Sequence, residues 1–306
     1  MGPIPATKHH VSLKRFRILT PFDTNLRVDY HLLQKGVDYV VNDCNASMVI
    51  ASGVEAQEYH YLKLEERKEL IKKTIEFVDK RVPVAVGISH PSYQIALELA
   101  HFAQDLGAQA VQLLAPLRAF GGEPSHQETL DYFQMVLNEI KVPLVLYLNS
   151  GPGANVSIPT TIALSQLKGI DYIKESSRDL SRVSRLIAEI ELAGHARYFT
   201  TMQMLLITLQ LGGSGITLPP PAAYLANKVI NAFSKGDMKE ASRLQLQFAS
   251  YPNRWMGYGL TPTMKASLKL MGLSAGDPYP PHKPISGDDL SSLEAYLKTT
   301  DFPMKN

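Results

Sequence analysis

The sequence predicts a (β/α)₈ barrel, an α/β fold with a small helical appendage at its C-terminal end. Two observations carry that prediction. Eight short apolar, β-branched runs alternate with longer amphipathic stretches. Most runs are apolar throughout, without in/out alternation, as a parallel sheet covered on both faces requires.

The runs cover 16–20, 48–51, 82–87, 110–114, 143–147, 170–174, 197–200 and 215–218. Helical patterns fall at about 63–79, 92–106, 125–140, 159–167, 180–191, 202–211 and 221–235. In 92–106, Ile95, Leu99, Phe102 and Leu106 share one face and Gly107 follows as a C-cap. Pro159 and Pro221 stand near helix starts, where a missing N–H costs nothing. Eightfold β-α alternation is the barrel signature. The alternative, a doubly wound open sheet, usually opens with a Gly-rich turn after its first strand, and here Thr20-Pro21-Phe22-Asp23 occupies that place. Residues 1–235 are therefore read as the barrel. Residues 236–306, with helical patterns at about 238–248, 261–271 and 288–298, are read as a C-terminal helical extension packed on it.

Composition narrows the function. The chain has 31 Lys plus Arg against 29 Asp plus Glu, a net charge of +2 that asks for neither nucleic acid nor an anionic membrane as partner. No apolar run has the length of a membrane span. The single cysteine, Cys44, rules out an intrachain disulfide. The first ten residues show no apolar signal core, and Pro3 and Ala6 do not fit a myristoylation motif after Gly2, so a cytoplasmic protein is the expectation.

Active sites of such barrels lie at the C-terminal ends of the strands. Polar or ionisable residues ending runs are Thr20, Tyr147, Lys174 and Thr200. A lysine pointing into the barrel mouth, in low dielectric, supplies the free amine that attacks a carbonyl. The alternative is a strand-end lysine reaching solvent. Tyr147 ends the neighbouring strand, where a phenol can relay protons to an imine, or can simply plug the barrel top.

Several segments in order resemble the dihydrodipicolinate synthase / N-acetylneuraminate lyase family of Schiff-base enzymes, from about residue 15 to 285. These are Thr20-Pro21-Phe22, Leu62-Lys63-Leu64-Glu65-Glu66-Arg67, Val142-Pro143-Leu144-Val145-Leu146-Tyr147-Leu148-Asn149, Ile173-Lys174-Glu175-Ser176-Ser177 and Gly212-Gly213-Ser214-Gly215-Ile216. The resemblance implies that Lys174 forms the imine and Tyr147 shuttles the proton. It implies a lyase or aldolase acting on a small oxo compound, most often a 2-oxo acid, with no external cofactor. A dehydratase or hydratase would use the same imine. A barrel that has lost this catalysis and binds a ligand or partner is the reading of another class. A homo-oligomer, usually a tetramer, is also implied.

The departures bear on substrate. Where the family grips a carboxylate with hydroxyls after strand two, this chain has Ser52-Gly53-Val54-Glu55-Ala56-Gln57-Glu58-Tyr59. Gly53 and Glu58 match; the hydroxyl pair is missing, and Glu55 would repel a carboxylate. Pro116-Leu117-Arg118 replaces the synthases' Pro-Tyr-Tyr, and Pro152 replaces their entrance arginine. The lysine-pathway synthase itself is therefore not expected. The candidate substrate-binding positions are Thr20, Gly53, Val54, Glu58, Arg118, Thr200 and Thr217, with Arg118 a replacement carboxylate anchor or a surface loop residue. Gly212 to Gly215 precedes strand eight and reads as a tight turn. Arg178, Arg182 and Arg185 read as a solvated helix face. The nine histidines show no metal-ligand spacing, so no metal is expected.

Overall fold

The computed structural model describes residues 13–54, 58–118 and 121–304. Eight parallel strands close into a barrel in chain order: β1 Leu13–Arg17, β2 Met48–Ala51, β3 Val84–Gly87, β4 Ala110–Leu114, β5 Leu144–Leu148, β6 Ile170–Glu175, β7 Arg197–Thr200 and β8 Gly215–Leu218. Each strand is followed by a helix on the outside. The first six are α1 Tyr30–Asp38, α2 Leu64–Val78, α3 Tyr93–Asp105, α4 His126–Glu139, α5 Ile158–Ser165 and α6 Leu180–Leu186. A short α7, Leu205–Gln210, follows β7, and the long α8, Pro220–Ser234, follows β8.

The two faces of the strands sort cleanly. Val49, Val86, Val111, Leu113, Leu144, Leu146, Ile173 and Ile216 face the helices in the main core. Met48, Ile50, Ala85, Ala110 and Val145, with Tyr172 against them, fill the lumen. Both faces are buried, which is why most runs read as apolar throughout. Helix starts are fixed by side-chain caps: the Ser92 and Ser157 hydroxyls accept from the Ile95 and Thr160 amides, and Ser125 and Glu128 form a capping box.

Two elements differ from the sequence reading. β1 lies three residues earlier than the apolar run, because Lys14 and Arg15 belong to it. Lys14 hydrogen-bonds Asn227 on α8, and Arg15 turns inward to meet the Tyr172 and Phe199 rings. Thr20 consequently lies beyond the strand, though it is fully buried. The sequence reading also has no helix between the first two strands, whereas α1 stands there, with the Asp29 carboxylate accepting from the Leu32 amide at 3.0 Å and Leu33 and Val37 buried. The patterns at 180–191 and 202–211 are each split, into α6 plus a π-helical segment Ile187–Glu191 and a 3₁₀ segment Met202–Met204 plus α7.

Three more helices follow: α9 Met238–Leu246, α10 Leu260–Leu270 and α11 Gly287–Lys298. Leu293 and Leu297 of α11 are buried. Asp301 ties this end of the chain to α8 and α9, 2.6 Å from the Lys228 ammonium and 2.7 Å from Arg243. Among the described residues no helix is long and apolar enough to cross a membrane.

Candidate active site

β5 and β6 pair so that Tyr147 lies opposite Lys174. Both side chains are buried, Lys174 at 1% exposure. The Lys174 ammonium donates to the carbonyls of Thr200, at 3.0 Å, and Glu175, at 3.3 Å. These contacts hold the amine at the C-terminal rim of the barrel, between β6 and β7. The Tyr147 phenol oxygen accepts a hydrogen bond from the Asn149 amide at 3.0 Å. Asn149 was part of the sequence pattern but carried no role in it; standing two residues beyond Tyr147, it orients the phenol.

Described residues on either side of the loop after β2 pack against Tyr147. Val54 and Tyr59, both buried, cluster with Tyr147 and Leu114. An apolar wall therefore stands beside the phenol where hydroxyls were missing from the sequence. Arg67, near the start of α2, holds the surrounding strand ends together. Its guanidinium donates to the Ser52 hydroxyl at 2.8 Å, to the Gly87 carbonyl at 2.7 Å and to the Ser89 carbonyl at 3.0 Å. It also lies 3.7 Å from the centre of the Tyr59 ring. Burial lowers the Arg67 pKa to about 10, still far above neutrality. Gly87 makes room for this: a Cβ there would come 2.1 Å from the Ser52 carbonyl oxygen.

The other sequence-derived positions fall in different places. Gly53 and Val54 are in the loop after β2. Thr200 presents its carbonyl to Lys174, while its hydroxyl is buried without a hydrogen-bond partner among the described residues. Thr217 faces the lumen, opposite Arg15 in the β1–β8 ladder. Glu58 is buried 2.5 Å from the Lys265 ammonium on α10 and accepts from the Tyr279 amide at 2.8 Å, so its carboxylate is engaged by the C-terminal segment. Arg118 is exposed and paired with Glu128 at 2.6 Å, directed at α4. Glu55 lies outside the described residues, as do Phe120, Gly2, His9 and His10.

Behind Lys174, the Glu175 carboxylate accepts from the Tyr198 phenol at 3.0 Å, the Ser177 amide at 3.2 Å and Arg182 at 3.3 Å. Burial, with this carboxylate adding to it, drives the Tyr198 pKa well above the ordinary phenol value, so the hydroxyl stays a donor. Arg182 is thereby drawn inward, while Arg185 pairs with Glu189 on the surface. A polar cleft opens alongside, lined by Asn149, Asn155, Ser176, Ser177 and Arg178.

Comparison with known proteins gives the family of the chain. A 4-hydroxy-tetrahydrodipicolinate synthase from Clostridium perfringens is 28% identical over 292 residues, covering 92% of this chain and 95% of that protein. The Bacillus subtilis protein of the same name is 27% identical over 288 residues, with 92% and 96% covered. Among solved structures, an E. coli K12 prophage protein of the dihydrodipicolinic acid synthase family, in complex with pyruvate, superposes with a TM-score of 0.86 at 21% identity, covering 94% of this chain and 98% of that one. N-acetylneuraminate lyase from Fusobacterium nucleatum gives 0.82 at 19% identity, with 94% and 98% covered. The dihydrodipicolinate synthetase family profile matches residues 15–300. The chain thus belongs to the dihydrodipicolinate synthetase family.

Proposed function

We propose that this protein is a class I lyase or aldolase that forms or cleaves a C–C bond through an imine on Lys174, acting on a small 2-oxo acid or related carbonyl compound. The observation that carries the reading is the register pairing of two buried residues, Tyr147 and Lys174, at adjacent strand ends of a family barrel. The Lys174 amine attacks the carbonyl carbon, the carbinolamine loses water, and the resulting iminium accepts the electron pair of the breaking C–C bond. Tyr147, oriented by Asn149, delivers and removes protons in these steps. The imine serves as the electron sink, so the scheme uses no external cofactor. The wall of Val54 and Tyr59 favours a compact carbonyl compound over one held by hydroxyls on this loop. A homo-oligomer is part of this proposal by family membership.

The test is chemical trapping. The protein is incubated with pyruvate and other 2-oxo acids, reduced with borohydride and digested. A mass adduct on the Lys174 peptide is expected, and Lys174→Ala should abolish it. Absence of any adduct across the oxo acids would remove the imine mechanism and favour a ligand-binding barrel.

A further inference from the structure

Five of the nine buried side-chain atoms without a hydrogen-bond partner among the described residues belong to three residues, Arg15, Gln112 and Thr217. All three face the barrel lumen. Arg15 reaches across it to the rings of Tyr172, at 3.8 Å, and Phe199, at 4.0 Å. Gln112 alternates with the outward-facing Val111 and Leu113, and Thr217 with the outward-facing Ile216 and Leu218. Thr217 is the ladder partner of Arg15.

Arg15 is 2% exposed. Its Nε and Nη1 have no acceptor, and no carboxylate pairs with it among the described residues. Burial lowers its pKa to about 10, with Tyr172 opposing the fall and Arg197 adding to it, so it is a cation at neutral pH. The two rings fix the guanidinium in place. An unpaired buried cation is costly, and buried polar groups are satisfied as a rule. The unpaired groups are mainly donors: two guanidinium nitrogens, an amide NH₂ and a hydroxyl. Their complement is an acceptor carrying negative charge. Tyr172 is half-buried and Arg197 is exposed at the start of β7, so the cation nearest to Arg15 stands at the N-terminal end of the barrel, opposite the site at Lys174.

We propose that Arg15, Gln112 and Thr217 form a binding site for one small inorganic anion of halide size in the floor of the barrel. The test uses the full-length protein. Its thermal midpoint is followed against sodium chloride, with sodium gluconate at equal ionic strength as control. A saturable rise of about 3–6 °C specific to chloride is expected. Arg15→Met should abolish the rise, and Gln112→Leu should move its half-saturation to about tenfold higher chloride. Crystals soaked in bromide should show an anomalous peak within hydrogen-bond distance of Arg15. A chloride response retained in folded Arg15→Met overturns the proposal. So does a gluconate response equal to that of chloride, or a lumen that holds water alone in the bromide crystals.

Discussion

Lys174 owes its character to its strand position: the last inward-facing residue of β6, buried, with two backbone carbonyls as acceptors. Its partner Tyr147 is reached through the ladder, not through sequence proximity. Removing the phenol oxygen in Tyr147→Phe keeps the ring against Val54 and Tyr59. Turnover, or the rate of adduct formation, should fall by about 10²–10⁴-fold with the melting temperature little changed. Asn149→Ala leaves the phenol in place and removes one hydrogen bond to it, and a smaller loss, about tenfold, is expected in the same assay. Sequence reading placed Lys174 and Tyr147 at strand ends because the last residue of an apolar run is legible, while the roles proposed for them came from the family resemblance. It could not reach the partners of Glu58 and Arg118. A carboxylate and a guanidinium look alike on paper whether they meet substrate or each other. What commits Glu58 is Lys265, on a helix far along the chain, and what commits Arg118 is Glu128, the capping residue of α4. Arg15 lies outside the run read as the first strand for a related reason: a charge at the head of an apolar run counts against a strand until two rings across a closed barrel are seen to receive it.

At the scale of elements, the segment between α10 and α11 acts as a strap over the first two strand-loop junctions. Tyr279 stacks on Tyr61 with centroids 4.7 Å apart and meets Phe22 edge-on at 4.9 Å. The Lys265 ammonium donates to the Asp277 carbonyl at 2.9 Å while pairing with Glu58. Gly276, at φ +67°, lets the strap approach, since a Cβ there would lie 2.4 Å from the Phe22 carbonyl. Both charges of the Glu58–Lys265 pair are nearly inaccessible. Deleting one leaves the other buried and alone, so Lys265→Met should cost about 3–5 kcal/mol in urea denaturation. The double variant Glu58→Gln, Lys265→Met should recover part of that loss, because no net charge is then stranded. Equal losses in the single and double variants would show that packing, not charge, holds the strap. Nothing local in the strap's proline-rich stretch, residues 277–284, names the loops it covers. The strands were more legible: β2, β4, β7 and β8 coincide with their apolar runs. α1 was missed because its apolar face is short, Leu33 and Val37 with Tyr30 half-buried beside them and Gly36 between, and tertiary packing supplies what propensity does not.

At the scale of the whole molecule, the barrel and the helices that follow it share one apolar core, and charged contacts add to it, with Asp301 taking part in several of them. It lies beyond α11, yet it meets α8 through Lys228 and α9 through Arg243, and it accepts from the Gln247 amide at 2.6 Å. The Arg243 hydrogen bond first, then those from Lys228 and Gln247, hold its carboxyl well below the ordinary aspartate value against a modest burial penalty. A carboxyl whose folded pKa is depressed binds its proton more readily in the unfolded chain. Its stabilisation is therefore fully present above the unfolded value, about 3.9, and is lost as the pH falls towards the depressed folded value. The side chain is 23% exposed and its partners more so, and solvent screening limits the contribution to about 1–2 kcal/mol. Asp301→Asn should lower the thermal midpoint at pH 7 by a few degrees. The gap between variant and wild type should stay constant down to about pH 5 and begin to close below about pH 4. Melting both proteins across pH 7 to 3 checks this. A gap that persists unchanged at pH 3 would mean that Asp301 acts through shape and neutral hydrogen bonds, and that charge does not fasten the C-terminal helices to the barrel.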